Sequence, residues 1–185
     1  ALKDLSNGLK ALGGSAEAKL TPEALNAVRS EAYNVGYRPI ADLPSVPGDI
    51  PFLRGLRELA PSAKGGAVQS PARAEIDDLI GSLAGHGEWS GQTLVRDIQA
   101  LRQQSHDNAG FGADAARSAL AKAQKEAANL LEEMAGRKIG NPNVVKNLRD
   151  ARTLIAKSHD IEDALVSGSV EASKIKGGDL TGNLK

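Results

Sequence analysis

The chain has 185 residues, 41% of them apolar and only 3% aromatic, with 23 Lys and Arg balancing 23 Asp and Glu and no cysteine. That length normally buries a sufficient core without staples, and the absence of cysteine excludes disulfides, thiol catalysis and cysteine metal sites. A formal net charge of zero leaves no overall field to draw the chain to nucleic acid or anionic lipid.

Alanine contributes 29 residues and leucine 22. Both fit a helix at little conformational cost, whereas a sheet would call for the β-branched and aromatic residues that are scarce here. The expected fold class is therefore all-α: an elongated antiparallel helical bundle or helical hairpin, with shorter flanking helices and a Pro/Gly-rich N-terminal connector. Residues 1–70 are expected to hold the short helices and the connector, and residues 71–185 the bundle. No apolar run is long enough to cross a bilayer, and the N-terminus has no signal-peptide pattern, so a soluble chain is expected. Ala1 stands in place of an initiator Met, Met134 is the only methionine, and the leucine spacing continues up to LTGNLK, which together suggest a fragment of a longer protein.

In chain order, Leu2, Leu5, Leu9 and Leu12 form a short helical face that ends at Gly13 and Gly14. Thr21 is a predicted N-cap, with Pro22 at the first helical position, for a helix carrying Leu25, Val28 and Ala32 toward Gly36. YRPIADLPSVPGDIP, residues 37–51, holds four of the eight prolines and is read as an extended connector rather than an element. A short helix over about 50–60 follows, and PSAKGGAVQSP after it has the composition of a flexible hinge loop. Ile76, Leu79, Ile80 and Leu83 then predict a helix that stops at Gly85 and Gly87.

HGEWSGQTLVRDIQ, residues 86–99, gathers a histidine, a glutamate and the sole tryptophan as an active-site loop might. It also reads as a helix start. Ser90 can accept from the amide of Gln92 or Thr93, and Trp89 before it can pack on Leu94 as a hydrophobic staple. That helix continues through Ile98 and Leu101. After a pause near Gly110 and Gly112, a helix over 113–135 places Ala116, Leu120, Ala123, Ala127, Leu130 and Met134 at alternating steps of four and three, a heptad seam half made of alanine. Such a helix is about 34 Å long at ~1.5 Å per residue, so the preceding helix is expected to lie antiparallel beside it. A bulky residue at Ala123 or Ala127 should weaken folding or assembly. Asn141 and Pro142 open a further helix bearing Val144, Val145, Leu148, Ala151 and Ile155, ending or kinking at His159 and Asp160, with shorter pieces around 161–166 and 170–175.

Several groups invite a chemical reading, and each has a simpler one. A glycosidase role for Glu88 would need a second carboxylate, and Asp97 would have to reach back along its helix. His86, His106 and His159 are too scattered for a local metal motif, and His106 and His159 fall where helix C-termini favour partial positive charge. GFGAD at 110–114 lacks the strand that a phosphate-binding loop requires, and SGSVEASK has no base in sequence reach. Lys146, Arg149, Arg152 and Lys157 cluster, but Asp150 dilutes them and five aromatics offer few stacking platforms for bases. Lys122 with Glu126 and Glu133 with Arg137 read as exposed i,i+4 pairs. No catalytic, cofactor or metal residue is assigned.

The stretch NVVKNLRDARTLIAKSHDIEDALVSGSVEASKIKGGDLTGNLK, residues 143–185, resembles a helical region of large virion proteins, internal, ejected or tail-associated, of short-tailed bacteriophages and prophages. Leu148 to Arg152, Leu154 to Lys157, Glu162 to Leu165 and Leu180 to Lys185 carry the likeness. ALAKAQKEAANLLEE and SEAYNVGYRPI look similar to parts of the same region. This sequence departs from the pattern by ending at LTGNLK where relatives continue. The resemblance implies a non-enzymatic virion component, carried in the particle and free in the host cytoplasm before assembly, whose partners are other virion proteins or copies of itself in a homo-oligomer. It supplies no residue roles. A helical adaptor or chaperone-like module receiving a partner helix is the alternative, and a cell-wall hydrolase dependent on Glu88 is a third class.

Overall fold

A computed structural model describes residues 21–60 and 70–166. The described residues are mostly helical, with one very small sheet. The helical face predicted over 1–12, the piece around 170–175 and the LTGNLK ending lie outside them, as does the hinge loop except for Ser70 and Pro71, which open a helix.

Contacts group the chain into two compact units, one formed by residues 1–39 with 146–185 and the other by Ile40–Val145. This grouping differs from the expected division near residue 70, because the N-terminal helix finds its partners at the other end of the sequence.

In the first unit, α1 (Pro22–Gly36) starts as its residue types dictate: the Thr21 hydroxyl accepts from the Ala24 amide at 3.2 Å, and Pro22 fills the first position. Its buried face is Leu25, Val28, Ala32 and Gly36. The last helix of the described chain, α7, spans Asn143–Val166, with Lys146 onward in this unit. A methyl group on Gly36 would overlap the Ala151 side chain and stand 3.0 Å from the Asn147 carbonyl oxygen, so only glycine lets the two helices approach this closely. Arg29 donates to Glu162 at 2.7 Å across the same pair. The expected break at His159 does not occur. His159 and Asp160 are on the exposed side of an unbroken helix, and Ser158 returns its hydroxyl to the Ile155 carbonyl within the same turn.

The second unit begins with a correction to the connector, which contains two small elements: α2 (Arg38–Ala41, from Ile40 in this unit) and the strand β1 (Val46–Pro47). The helix α3 (Ile50–Leu59) follows, then α4 (Ser70–His86), β2 (Glu88–Trp89), α5 (Gly91–Asn108) and α6 (Ala115–Ile139). β1 and β2 pair antiparallel with Val46 opposite Trp89. Asp114 caps α6 by accepting from the Arg117 amide at 2.8 Å, and Gly140 ends it with φ of 70°, the left-handed conformation glycine adopts at helix C-termini. That glycine stop lies beyond the predicted end at 135, because Arg137, Lys138 and Ile139 are good helix formers with nothing to interrupt them. The core of this unit includes Ile40, Val46, Phe52, Leu56, Trp89, Leu94, Ile98, Leu131 and Met134, all buried.

Candidate functional site

The stretch around Trp89 is a structural corner. Ser90 caps α5 by accepting from the Thr93 amide at 3.2 Å, one of the two bonds its position allowed. Trp89, in the staple position, and Leu94 are both buried. The ring of Phe52 meets the indole edge-on at 5.6 Å, and the exposed His86 ring stacks on it at 4.5 Å. The indole Nε1 donates to Asp97 Oδ2 at 3.0 Å. Asp97 thus reaches back along its helix, to hold a buried N–H rather than to pair with Glu88. The Glu88 carboxylate accepts from the Ser45 hydroxyl beside the β1–β2 pair. His86 and Trp89 thus stack on each other, while Glu88 bonds Ser45 and Asp97 holds the indole N–H.

Gly91 locks this corner in place. Its amide donates to the Leu43 carbonyl at 2.9 Å, and a methyl group there would collide with the Ile40 carbonyl oxygen and lie 2.7 Å and 2.8 Å from those of Ala41 and Leu43. The positive end of α5 is thus surrounded by carbonyl oxygens, a favourable meeting that only a residue without Cβ permits.

Beside the same corner, one residue past the Gly48 amide that donates to the Gly87 carbonyl, Asp49 has two tasks. It caps α3 by accepting from the Phe52 amide at 2.8 Å, and it receives both Nε and Nη2 of Arg137 at 2.7 and 2.9 Å. The Arg137 hydrogen bond holds the Asp49 carboxyl below the usual aspartate range, and the Arg137 guanidinium is correspondingly raised. Arg137, expected to pair with Glu133, makes an ion pair with Asp49, 88 residues away in the sequence. Because its folded pKa is depressed, Asp49 contributes stability at pH values above the unfolded aspartate range of about 4, and loses it as pH falls through the lower folded value. Asp49→Ala loses cap and pair together, an expected cost of about 1–2 kcal/mol at neutral pH. Asp49→Asn keeps a capping oxygen and should cost less. Urea titrations from pH 7 to pH 2.5 are expected to show the Asn variant's deficit shrinking toward zero at the acid end.

The seam on α6 meets two of its neighbours. Leu120 and Ala123 pack with Ile76 of α4, and a methyl group on Gly55 of α3 would overlap the Leu130 side chain. Ala127 and Met134 are buried, while Ala116 and Leu130 are half-buried. A second stripe, Ala121, Gln124, Ala128, Leu131 and Ala135, also steps by three and four and is buried throughout. At ~100° per residue the two stripes lie about 100° apart around the helix. Partners of α5 lie on the second stripe's flank: Ser105 donates to the Ala121 carbonyl at 2.7 Å, Asn108 to Gln124 at 3.0 Å, and Arg102 to Glu132 at 2.8 Å and to Asn129. These bonds tie the second half of α5, from Arg102 to Asn108, to α6 between Ala121 and Glu132. The hydrogen bonds to α5 thus fall on a flank other than the predicted seam, which meets Gly55 of α3 and Ile76 of α4. Substituting leucine for Ala127 is expected to overpack this interior by about 1–3 kcal/mol, read as a lower urea midpoint at unchanged slope.

Glu132 is completely buried, with Arg102 largely so. Nothing in the seam pattern pointed to this pair, since a carboxylate in a helix with Glu133 beside it reads as surface. Glu126, expected to pair with Lys122, accepts from the Asn129 side chain at 3.0 Å. His106 sits in the last turn of α5 as expected, whereas His159 lies well inside α7. Among the described residues no group of three or more His, Asp or Glu side chains converges as a metal site would require, and no helix is long and apolar enough to cross a membrane. Comparison with protein families, curated proteins and solved structures finds no match to this chain.

Proposed function

We propose that this chain is a non-enzymatic structural or assembly segment of a bacteriophage virion protein, tail-associated or ejected with the DNA, built as an antiparallel helical bundle and acting by helix packing with copies of itself or with other virion proteins. The reading rests first on the resemblance of residues 143–185, whose LRDAR and LIAK elements fall within one unbroken helix, α7. The observation that carries it structurally is α6, flanked on two sides by packed helices through alanine-rich stripes. Small side chains at regular spacing let backbones approach closely, which suits a segment whose task is mechanical support. The groups that could have signified chemistry, His86, Glu88 and Asp97, are each engaged at the Trp89 corner.

Since both α6 stripes are largely covered within the chain, with only Ala116 and Leu130 of the seam half-buried, the surfaces that meet partners lie elsewhere. Mass spectrometry of purified particles, induced from the bacterium that encodes the chain, is expected to recover its peptides with the virion proteins. Recovery only from the particle-free lysate would overturn the reading. The adaptor alternative draws on the exposed Phe111 and predicts a stable monomer in light scattering, with a bound partner helix. Peptidoglycan clearing abolished by Glu88→Gln would instead revive the hydrolase class.

A further inference from the structure

The connection from α5 to α6 is a tight turn that stands clear of the protein. The Ala113 amide donates to the Gly110 carbonyl at 3.1 Å, and Gly112, with φ of 82°, holds the position where such a turn calls for a left-handed residue. Residues 109–112 are exposed, nothing lies within 4 Å of a Cβ added to Gly112, and Phe111 carries its ring fully in solvent. The chain has five aromatic residues, and the other four are held in place: Tyr37, Phe52 and Trp89 are buried, and Tyr33 sits inside α1, stacked on Tyr37 at 5.4 Å. Phe111 is thus the one aromatic side chain that an enzyme can grasp without unwinding a helix or opening the core.

We infer that the Phe111–Gly112 peptide bond is a proteolytic modification site, cut by an endoprotease whose apolar pocket takes an aromatic ring, and that the cut chain stays together as one folded protein. Water adds across the bond, leaving a carboxylate on Phe111 and an ammonium on Gly112, and the protease supplies the catalytic groups. A protease grips its substrate as an extended strand, so the segment must straighten first. Here that step breaks the single backbone hydrogen bond closing the turn, and the glycines on both sides of the ring accept extended backbone readily. At Tyr33 the same step would unwind α1, and at the buried aromatics it would open the core, both far rarer excursions. Integrity after the cut follows from where the contacts lie, since each of the two compact units takes residues from both sides of the bond. In one unit Arg29 bonds Glu162 and Gly36 lies against Ala151; in the other Ser105 bonds Ala121, Arg102 bonds Glu132 and Asp49 bonds Arg137. Neither piece contains a whole unit, so each completes the other's core. Cleavage depends on the turn and its surroundings alone, whatever assembly the chain serves.

Brief treatment of the full chain with chymotrypsin, followed by intact-mass measurement, is expected to place the first cut after an aromatic at Phe111, giving residues 1–111 and 112–185. The two pieces should elute together on size exclusion and separate only in denaturant. Their melting temperature should rise with protein concentration, as a two-piece assembly requires, whereas that of the intact chain should not. Phe111→Ser should slow this cut about a hundredfold, the loss of one large apolar side chain from the enzyme's pocket, while Phe111→Tyr keeps it, and both variants should melt with the parent. A first aromatic cut at Tyr33 or Tyr37 would overturn the inference. So would a Phe111–Gly112 bond that survives while other bonds are cut, a cutting rate unchanged by Phe111→Ser, or pieces that elute apart.

Discussion

Arg102→Ala is expected to cost about 3 kcal/mol or more, because it removes a cation from a carboxylate that cannot turn to water. Glu132 has no exposed surface, and Arg102 reaches it through both Nε and Nη2 while also bonding Asn129. Since single domains have net stabilities of about 5–15 kcal/mol, that loss is a large part of the whole. Arg102→Lys should recover only some of it, as a point charge cannot reproduce the planar fork that serves two acceptors. The informative control is the double variant R102M/E132L. Replacing both charges with apolar side chains of similar size removes the unsatisfied group as well as the bond, so its stability is expected to lie near that of the parent. Chemical denaturation of the four proteins tests this, and a single Arg102→Ala variant as stable as the parent would show the pair to be dispensable.

Gly91→Ala should rival it. One methyl group would have to displace three backbone carbonyls at once, those of Ile40, Ala41 and Leu43, and none is the free end of a flexible side chain. Overpacking usually costs about 1–3 kcal/mol, and the rigid neighbours place this site at or above the upper end of that range. The melting temperature is expected to fall by roughly 5–10 °C. Gly81 is the matched control: it is also helical, but nothing lies within 4 Å of its missing Cβ. Alanine at Gly81 should be neutral or slightly stabilising through its better helix propensity. Were both variants equally stable, the close approach of α5 to the 40–43 backbone would be wrong.

What sequence made legible was local. Thr21 with Pro22, and Ser90 after Trp89, specify helix starts through bonds spanning only three residues, and both form. The seam on α6 was visible because hydrophobic spacing is a property of one segment. What depends on distant partners was not. Val46 reads as one apolar residue among prolines until Trp89 lies opposite it, and Asp49 appears as a loop acid until Arg137 arrives from 88 residues away. The second stripe escaped notice because Gln124, and Glu132 on its flank, are polar, and burial of a polar side chain is decided by whether a partner such as Asn108 or Arg102 waits there. His159 and Asp160 misled for the opposite reason: polar neighbours can mark a helix end, but on the outer side of α7 they interrupt nothing.

The pairing of α5 with α6 also bears on the order in which the molecule acquires its structure. Ser105 and Ala121 are 16 residues apart, whereas Ser45 and Glu88 are separated by 43. Closing the shorter loop sacrifices less chain entropy, so the paired helices can condense first and offer a template on which the Val46–Trp89 ladder docks later. Amide protons of α5 and α6 would then be the slowest to exchange with solvent deuterium, and the small sheet would be among the first places where the native state opens.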